Sequence, residues 1–263
     1  MTDQPDQPDQ PTARPELSSF DAVLFDLDGV ITPTADLHRA AWAAMFTEFL
    51  DTQGSTPYTE QDYYEHLDGR SREEGVESLL ASRGITLPHG DTDSATSADD
   101  TVLGLGLRKN DDFLRVLEQG IDAYPGSVAL LDDLADGADR GHVPRVAIVS
   151  SSKNARQVLT AAGLIDRFEL IVDGMVAASE GLPGKPAPDT YVFAARSLGV
   201  EPACAVVVED ATSGVASGRA GDFGLVVGVD RGAGRETLLD AGADVVVSDL
   251  AELTINETGG NAR

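Results

Sequence analysis

Lysine is almost missing from this chain: 16 arginines are accompanied by only three lysines, Lys109, Lys153 and Lys185. Cysteine is rarer still. The one thiol, Cys204, leaves no internal disulfide and no cysteine metal cage, and points to a reducing, cytoplasmic setting. It falls in a stretch expected to be a buried strand, where its role is packing. No apolar run reaches the ~18 residues of a membrane span. The polar, proline-rich residues 1–19 carry no signal-peptide core, and their Asp-Gln-Pro-Asp-Gln-Pro near-repeat reads as a disordered tail. Positive charge is scarce throughout, with a formal net charge of -26. That excess of acid argues against nucleic acid and anionic membranes as partners. It also repels phosphate, so a phosphate substrate needs local positive charge. Where a chain that otherwise uses arginine has kept lysine, a compact ammonium suits the place better than a planar fork.

What the chain does have is a short apolar run that ends in acid: Phe20-Asp21-Ala22-Val23-Leu24-Phe25-Asp26-Leu27-Asp28-Gly29. The run predicts a strand buried on both faces. Alternate residues of an extended strand share a side, so Asp26 and Asp28 are expected to face one space, with Gly29 permitting a sharp turn. Such a pair suits a hard cation, or a nucleophile beside a general acid/base. An acid-rich chain also produces Asp-x-Asp as a solvated turn. A calcium loop is a further rival, but its other ligands and closing glutamate are missing.

Beyond this turn, helical periodicity dominates up to residue 122. A helix is predicted over 36–49, with His38 and Trp42 four apart on one face. Ser71-Arg72-Glu73-Glu74 has capping-box form, which sets Arg72 at a helix N-terminus, and Gly84 closes that helix. Residues 88–100 read as a polar loop. Gly104-Leu105-Gly106 is expected to precede Arg108-Lys109-Asn110, with a helix then running through Phe113, Leu114 and Leu117 to Gly120. From Tyr124-Pro125-Gly126 onward, short apolar strands alternate with helices, which predicts a doubly wound parallel α/β sheet. The resulting organisation is a tail (1–18), an α/β core (19–35 and 123–255), an inserted helical domain (36–122) and a C-terminal tail (256–263).

In such a sheet, ligands bind beyond the strand carboxyl ends. Asp26 and Asp28 follow the first strand, Ser150 follows the next, and Glu209-Asp210 a later one, with Lys185 in a loop on the approach to it. Carboxylates from two strands can hold Mg²⁺, while a lysine and a serine neutralise and orient a transferring phosphoryl group. Each piece alone could be an ordinary turn; four in this order are hard to obtain by chance.

These motifs make the chain similar to the haloacid dehalogenase superfamily: Asp26-Leu27-Asp28-Gly29-Val30, the strand-ending Ser150, Gly184-Lys185-Pro186-Ala187-Pro188-Asp189 and Glu209-Asp210. Within it, Gly29-Val30-Ile31-Thr32 with Thr34 and His38, Gly69-x-Ser71-Arg72-Glu73, Arg108-Lys109-Asn110 and Ser150-x-Ser152-Lys153-Asn154 resemble the β-phosphoglucomutase-like branch. The resemblance implies a helical cap at 36–122 and phosphoryl transfer on a sugar phosphate. Asp26 is then the phosphorylated nucleophile and Asp28 the acid/base. Asp26, the Asp28 carbonyl and Asp210 hold Mg²⁺, with Glu209 beside the metal. Lys185 and Ser150 hold the transferring phosphate. Arg72, Ser152, Lys153 and Asn154 hold the other phosphate, and His38 and Lys109 lie between cap and core. All three lysines fall on motif positions. Pro33 departs from the branch, whose mutases often carry aspartate there, and it stiffens the hinge into the cap. The expectation is therefore a Mg²⁺-dependent, monomeric phosphoglucomutase, with a sugar-phosphate phosphatase as the alternative and a catalytically silent phosphosugar-binding regulator as a third reading.

Overall fold

Four consecutive apolar residues, Ala22-Val23-Leu24-Phe25, are all fully buried. A strand with no polar face has to be covered on both sides, which is the situation of a central strand in a parallel sheet. That is its place in the computed structural model, which describes residues 17–67, 70, 72–136 and 142–253. In chain order the elements that matter here are β1 (Ala22–Phe25), helix α1 (Thr34–Thr52), the single turn α2 (Glu60–Asp62) running into a π-helical turn (Tyr63–Leu67), α3 (Arg72–Ser82), α4 (Val102–Leu117) and α5 (Pro125–Ala135). They are followed by β2 (Arg145–Val149), α6 (Ala155–Ala161), β3 (Leu170–Val172), α7 (Gly174–Glu180), α8 (Asp189–Ser197) and β4 (Ala205–Glu209). The last are α9 (Thr212–Ala220), β5 (Leu225–Val229), α10 (Arg235–Asp240) and β6 (Val245–Val247).

The six strands lie in the order β3-β2-β1-β4-β5-β6, and each neighbouring pair is parallel. The order reverses between β1 and β4, so the crevice past their carboxyl ends is where this topology places a ligand. Alternation within the strands supplies two apolar layers. Val23 and Phe25 join Ile148, Val206 and Val208 on one face, while Leu24 joins Ala147, Val207, Val226 and Tyr191 on the other.

The segment between β1 and β2 is helical as expected, and α1, α3 and α4 enclose their own apolar cluster around Trp42, Phe46, Phe49, Leu79 and Leu105. Ala41, Phe113 and Leu117 instead join the layer over the sheet, so the insertion rests directly on the core. Its first helix begins two residues earlier than the predicted 36, at Thr34, because Pro33 occupies the N-cap with φ -79° already near helical. The helix carrying Lys109 also starts early, at Val102, capped by the Thr101 hydroxyl accepting from Gly104 N–H. Its glycines serve close approach rather than a helix start: a Cβ at Gly104 would lie 2.1 Å from the Asp99 carbonyl oxygen, and one at Gly106 would lie 2.9 Å from Arg72 Cδ.

Three further expectations change. Leu17, placed in the tail by the sequence, is buried in the core layer. Cys204 is exposed and belongs to the 3-10 turn Pro202–Cys204, because β4 begins one residue later. Helices α7 and α10 were not foreseen; both are short, and α7 is set by Asp173, whose carboxylate accepts from Met175 and Val176 N–H. The Ser71 cap, the end of the helix before β2 and most of both tails lie outside the described residues. Among those described, no helix is long and apolar enough to cross a membrane.

Candidate active site

The pairing of β1 with β4 sets Phe25 opposite Val208, and the ladder continues one step further as Asp26 N–H donates to the Val208 carbonyl at 2.9 Å. Asp26 and Glu209 therefore come level at the sheet's carboxyl edge, both buried. Lys185 reaches between them. Its ammonium donates to Asp26 Oδ1 at 2.5 Å, Glu209 Oε1 at 2.6 Å and the Val149 carbonyl at 3.0 Å, and it stands 4.9 Å from the centre of the Tyr191 ring. Burial pulls the ammonium's pKa down, but the carboxylates of Asp26 and Glu209 outweigh it, and the net shift is upward.

Both oxygens of Glu209 accept hydrogen bonds. Oε1 also accepts from the Tyr191 hydroxyl at 3.1 Å, and Oε2 accepts from the N–H groups of Asp210 at 3.1 Å and Ala211 at 3.2 Å. The carboxylate fits only because residue 214 is glycine, where a Cβ would lie 1.7 Å from Oε1. Gly29 performs the same service for Asp210. A Cβ there would lie 1.9 Å from Asp210 Oδ2, and Gly29 also adopts φ +82°, so it is required for space and for conformation.

Asp26, Glu209 and Asp210 each offer an oxygen, all within 4.8 Å of one another. Burial, then Glu209 and Asp28, push Asp26 up to about 8 despite Lys185. Burial, Glu209, Asp26 and Asp28 push Asp210 up to about 9. One ammonium thus faces more carboxylate than it can neutralise. Hard oxygen donors carrying unbalanced negative charge fit a small divalent cation. The Asp28 carboxylate is not among these oxygens. β1 stops at Phe25, and Asp28 beyond it accepts a short hydrogen bond from the Thr34 hydroxyl and lies 3.9 Å from His38 Nε2, near enough to Asp26 and Asp210 to raise both.

This charge balance makes a prediction for the metal-free protein. A carboxyl whose folded pKa is raised binds its proton more tightly when folded, so stability falls as pH rises from the unfolded value near 3.8 toward 8–9. Calorimetry in chelator should show the melting temperature falling between pH 5 and pH 8. Asp210→Asn should remove part of that fall, raising the pH 8 midpoint by roughly 2–4 °C per kcal/mol recovered. An Asp210→Asn midpoint no higher than wild type at pH 8 contradicts the assignment.

A second group of predicted residues gathers along the seam between insertion and core. Ser150, past β2, is buried; its hydroxyl accepts from Ser152 N–H at 3.0 Å, and the Ser152 hydroxyl accepts from Asn154 N–H at 3.1 Å. Asn154 Nδ2 donates to Asn110 Oδ1 at 2.7 Å, and that same oxygen accepts from Arg72 Nη2 at 2.9 Å. Lys153 Nζ lies 3.8 Å from Glu73 across the same divide. Burial lowers the Arg72 pKa. Nearby, the Lys109 ammonium sits 2.6 Å from His38 Nδ1, 5.2 Å from the Trp42 ring centre and 5.0 Å from that of Phe113. Burial and then Arg72 bring Lys109 down to about 7, against the pull of Asp28, while burial, Lys109 and Arg72 hold His38 well below its ordinary value. Two basic side chains this close together, one of them buried, suit an anionic group.

Sequence reasoning did not single out Tyr191, Gly214 or the bridging role of Asn110. A tyrosine and a glycine inside helices look like core and spacer, and only the position of Glu209 gives them meaning.

An open parallel α/β sheet with its acidic residues gathered at the topological switch is the plan of an α/β enzyme that works at the carboxyl edge of its strands. The chain belongs to the haloacid dehalogenase-like hydrolase family, whose profile matches residues 20–222, and it is an enzyme of that phosphotransferase/hydrolase type. It is 47% identical over 244 residues to a β-phosphoglucomutase of Mycobacterium bovis, covering 88% of this chain and 90% of that protein. Among solved structures it is similar to the β-phosphoglucomutase of Clostridium difficile, with a TM-score of 0.68, 26% identity, and 90% and 94% of the two chains covered. It is likewise similar to CbbY of Rhodobacter sphaeroides in complex with xylulose-1,5-bisphosphate, with a TM-score of 0.67, 25% identity, and 89% and 96% covered.

Proposed function

We propose that this enzyme is a Mg²⁺-dependent phosphoryl transferase on sugar phosphates that converts β-glucose 1-phosphate to glucose 6-phosphate through an aspartyl-phosphate at Asp26. The observation that carries the reading is the buried Asp26 carboxylate, fixed through one oxygen by Lys185 beside an acidic cluster at the β1/β4 switch. Asp26, Asp210 and the Asp28 carbonyl would hold Mg²⁺, which supplies charge neutralisation for the phosphoryl oxygens. Glu209 positions Lys185.

In the first half-reaction an Asp26 carboxylate oxygen attacks phosphorus, the bond from phosphorus to the sugar oxygen breaks, and Asp28 gives that oxygen a proton. In the second, Asp28 takes the proton of an incoming sugar hydroxyl, which attacks phosphorus and frees Asp26. Lys185 and Ser150 bind the transferring group. Arg72, Ser152, Lys153 and Asn154 bind the phosphate that does not react, and His38 and Lys109 link Asp28 to the insertion. A glucose 1,6-bisphosphate that turns over within the site connects the two halves. Residues 36–122 act as the cap, and the Arg72–Asn110–Asn154 hydrogen bonds are the closed seam that excludes water.

A second reading, hydrolysis of a sugar phosphate or bisphosphate, is favoured by the family, which is described as one of hydrolases, and by Pro33, which stiffens the route into the cap. One assay separates the two. β-Glucose 1-phosphate with a trace of glucose 1,6-bisphosphate and Mg²⁺ should yield glucose 6-phosphate without free phosphate; free phosphate as the main product sustains the hydrolase instead.

A further inference from the structure

Arg231, just past β5, belongs to no motif above, yet its side chain touches both chain segments that join the insertion to the core. Its Nε donates to the Gly29 carbonyl at 2.9 Å. Its guanidinium lies 3.8 Å from the centre of the Tyr124 ring, and its Nη1 donates to the Ser248 carbonyl at 3.1 Å and stands 3.8 Å from Asp249. Nη2 is buried and has no hydrogen-bond partner among the described residues. Gly29 lies on the core side of the segment that leads out to the insertion, and Tyr124 lies where the chain returns to the core.

These two segments are also joined to each other. Tyr124 N–H donates to the Ile31 carbonyl at 2.9 Å, and the Ser127 hydroxyl donates to the Val30 carbonyl at 2.6 Å. Asp249 fills the space a Cβ on Gly126 would need, with Oδ1 1.6 Å from that point. A planar fork that can stack and donate in two directions is what such a junction calls for, and arginine supplies it where lysine cannot.

We infer that Arg231 is a positioning residue that clamps the roots of both linkers to the core, so that movement of the insertion is taken up beyond Thr32 and before Tyr124 and is not passed to the Asp26–Gly29 turn. The reason the site needs this is visible in Gly29, whose backbone packs directly on Asp210. A shift of the linker root would displace Asp28 and Asp210 together. The inference rests on the phosphoryl-transfer reading for its effect on turnover, but not for the clamp itself.

Two variants test it, Arg231→Met, which keeps the stem and loses fork and charge, and Arg231→Lys, which keeps the charge. Amide hydrogen exchange is compared for residues 27–33, at the clamp, and 225–229, in β5. In Arg231→Met, exchange at 27–33 should rise roughly tenfold with 225–229 unchanged. kcat for the wild-type reaction should fall about tenfold with KM within about twofold, since the loss concerns placement of Asp28 rather than substrate binding. Arg231→Lys should recover part of both. Unchanged exchange at 27–33, or equal loosening at 225–229, overturns the clamp. If the wild-type enzyme turns over none of the glucose phosphates, the functional reading fails while the exchange comparison still decides the clamp.

Discussion

Asp26→Asn is expected to lower turnover of a phosphate ester by at least ~10⁴-fold, the scale seen when a covalent nucleophile is removed. The asparagine amide is nearly isosteric, so the buried pocket beside Lys185 keeps its shape, but the amide does not attack phosphorus. The same electrostatics predict that the variant folds. Burial, Glu209 and Asp28 already push the Asp26 carboxyl up to about 8, so a neutral amide relieves repulsion. In chelator at pH 8 the variant should therefore melt no lower than wild type. An Asp26→Asn protein that folds and keeps more than a few per cent of activity would falsify the covalent mechanism. Labelled substrate provides the complementary reading: wild type should carry acid-stable, hydroxylamine-labile phosphate on one aspartate, and the variant none.

The sheet was legible in the sequence because its strands are buried on both faces and hence written as unbroken apolar runs, as in Ala205-Val206-Val207-Val208. The site was legible for a related reason. In a parallel sheet every strand points its carboxyl end the same way, so residues that follow the apolar runs converge without further information: Asp26, Ser150 and Glu209-Asp210. Side-chain direction was harder. Asp26 and Asp28 read as a pair, and Asp28 does push Asp26 up, but the strand ends before either, so alternation alone does not foretell that Asp28 also accepts from Thr34 and lies beside His38. Glycine was ambiguous in the same way. Gly29 sits at a turn and was read as one, whereas Gly104, Gly106 and Gly214 lie within helices, where only the neighbour each would strike explains it. Arg231 carried no local signal, because its partners Gly29, Tyr124 and Ser248 are scattered through the chain and meet only in the fold.

Lys185→Met should be the most costly change outside the nucleophile, and its cost should depend on pH. The ammonium makes three hydrogen bonds, to Asp26, Glu209 and the Val149 carbonyl, and among the described residues it is the one positive charge in direct contact with either carboxylate. Methionine restores the volume but leaves two buried acids unpaired, a loss of about 3–5 kcal/mol for a buried ion pair broken from one side. Lys185 is also the group that holds the Asp26 pKa down, so its removal moves Asp26 above the present value of about 8. The folded variant then retains a proton that the unfolded chain releases near 3.8, and stability falls as pH rises across that widened window. The gap in melting temperature between wild type and Lys185→Met, measured in chelator, should be smallest near pH 6, where folded wild type also holds the Asp26 proton, and greatest near pH 9.5, where only the variant still does. A cost that came from packing alone would be the same at both. Turnover with Mg²⁺ should fall about 10³-fold, the scale of removing a preorganised charged donor from developing negative charge. A variant that loses stability equally at both pH values, or keeps its turnover, would mean that Lys185 fills space rather than carrying the charge of the phosphoryl group.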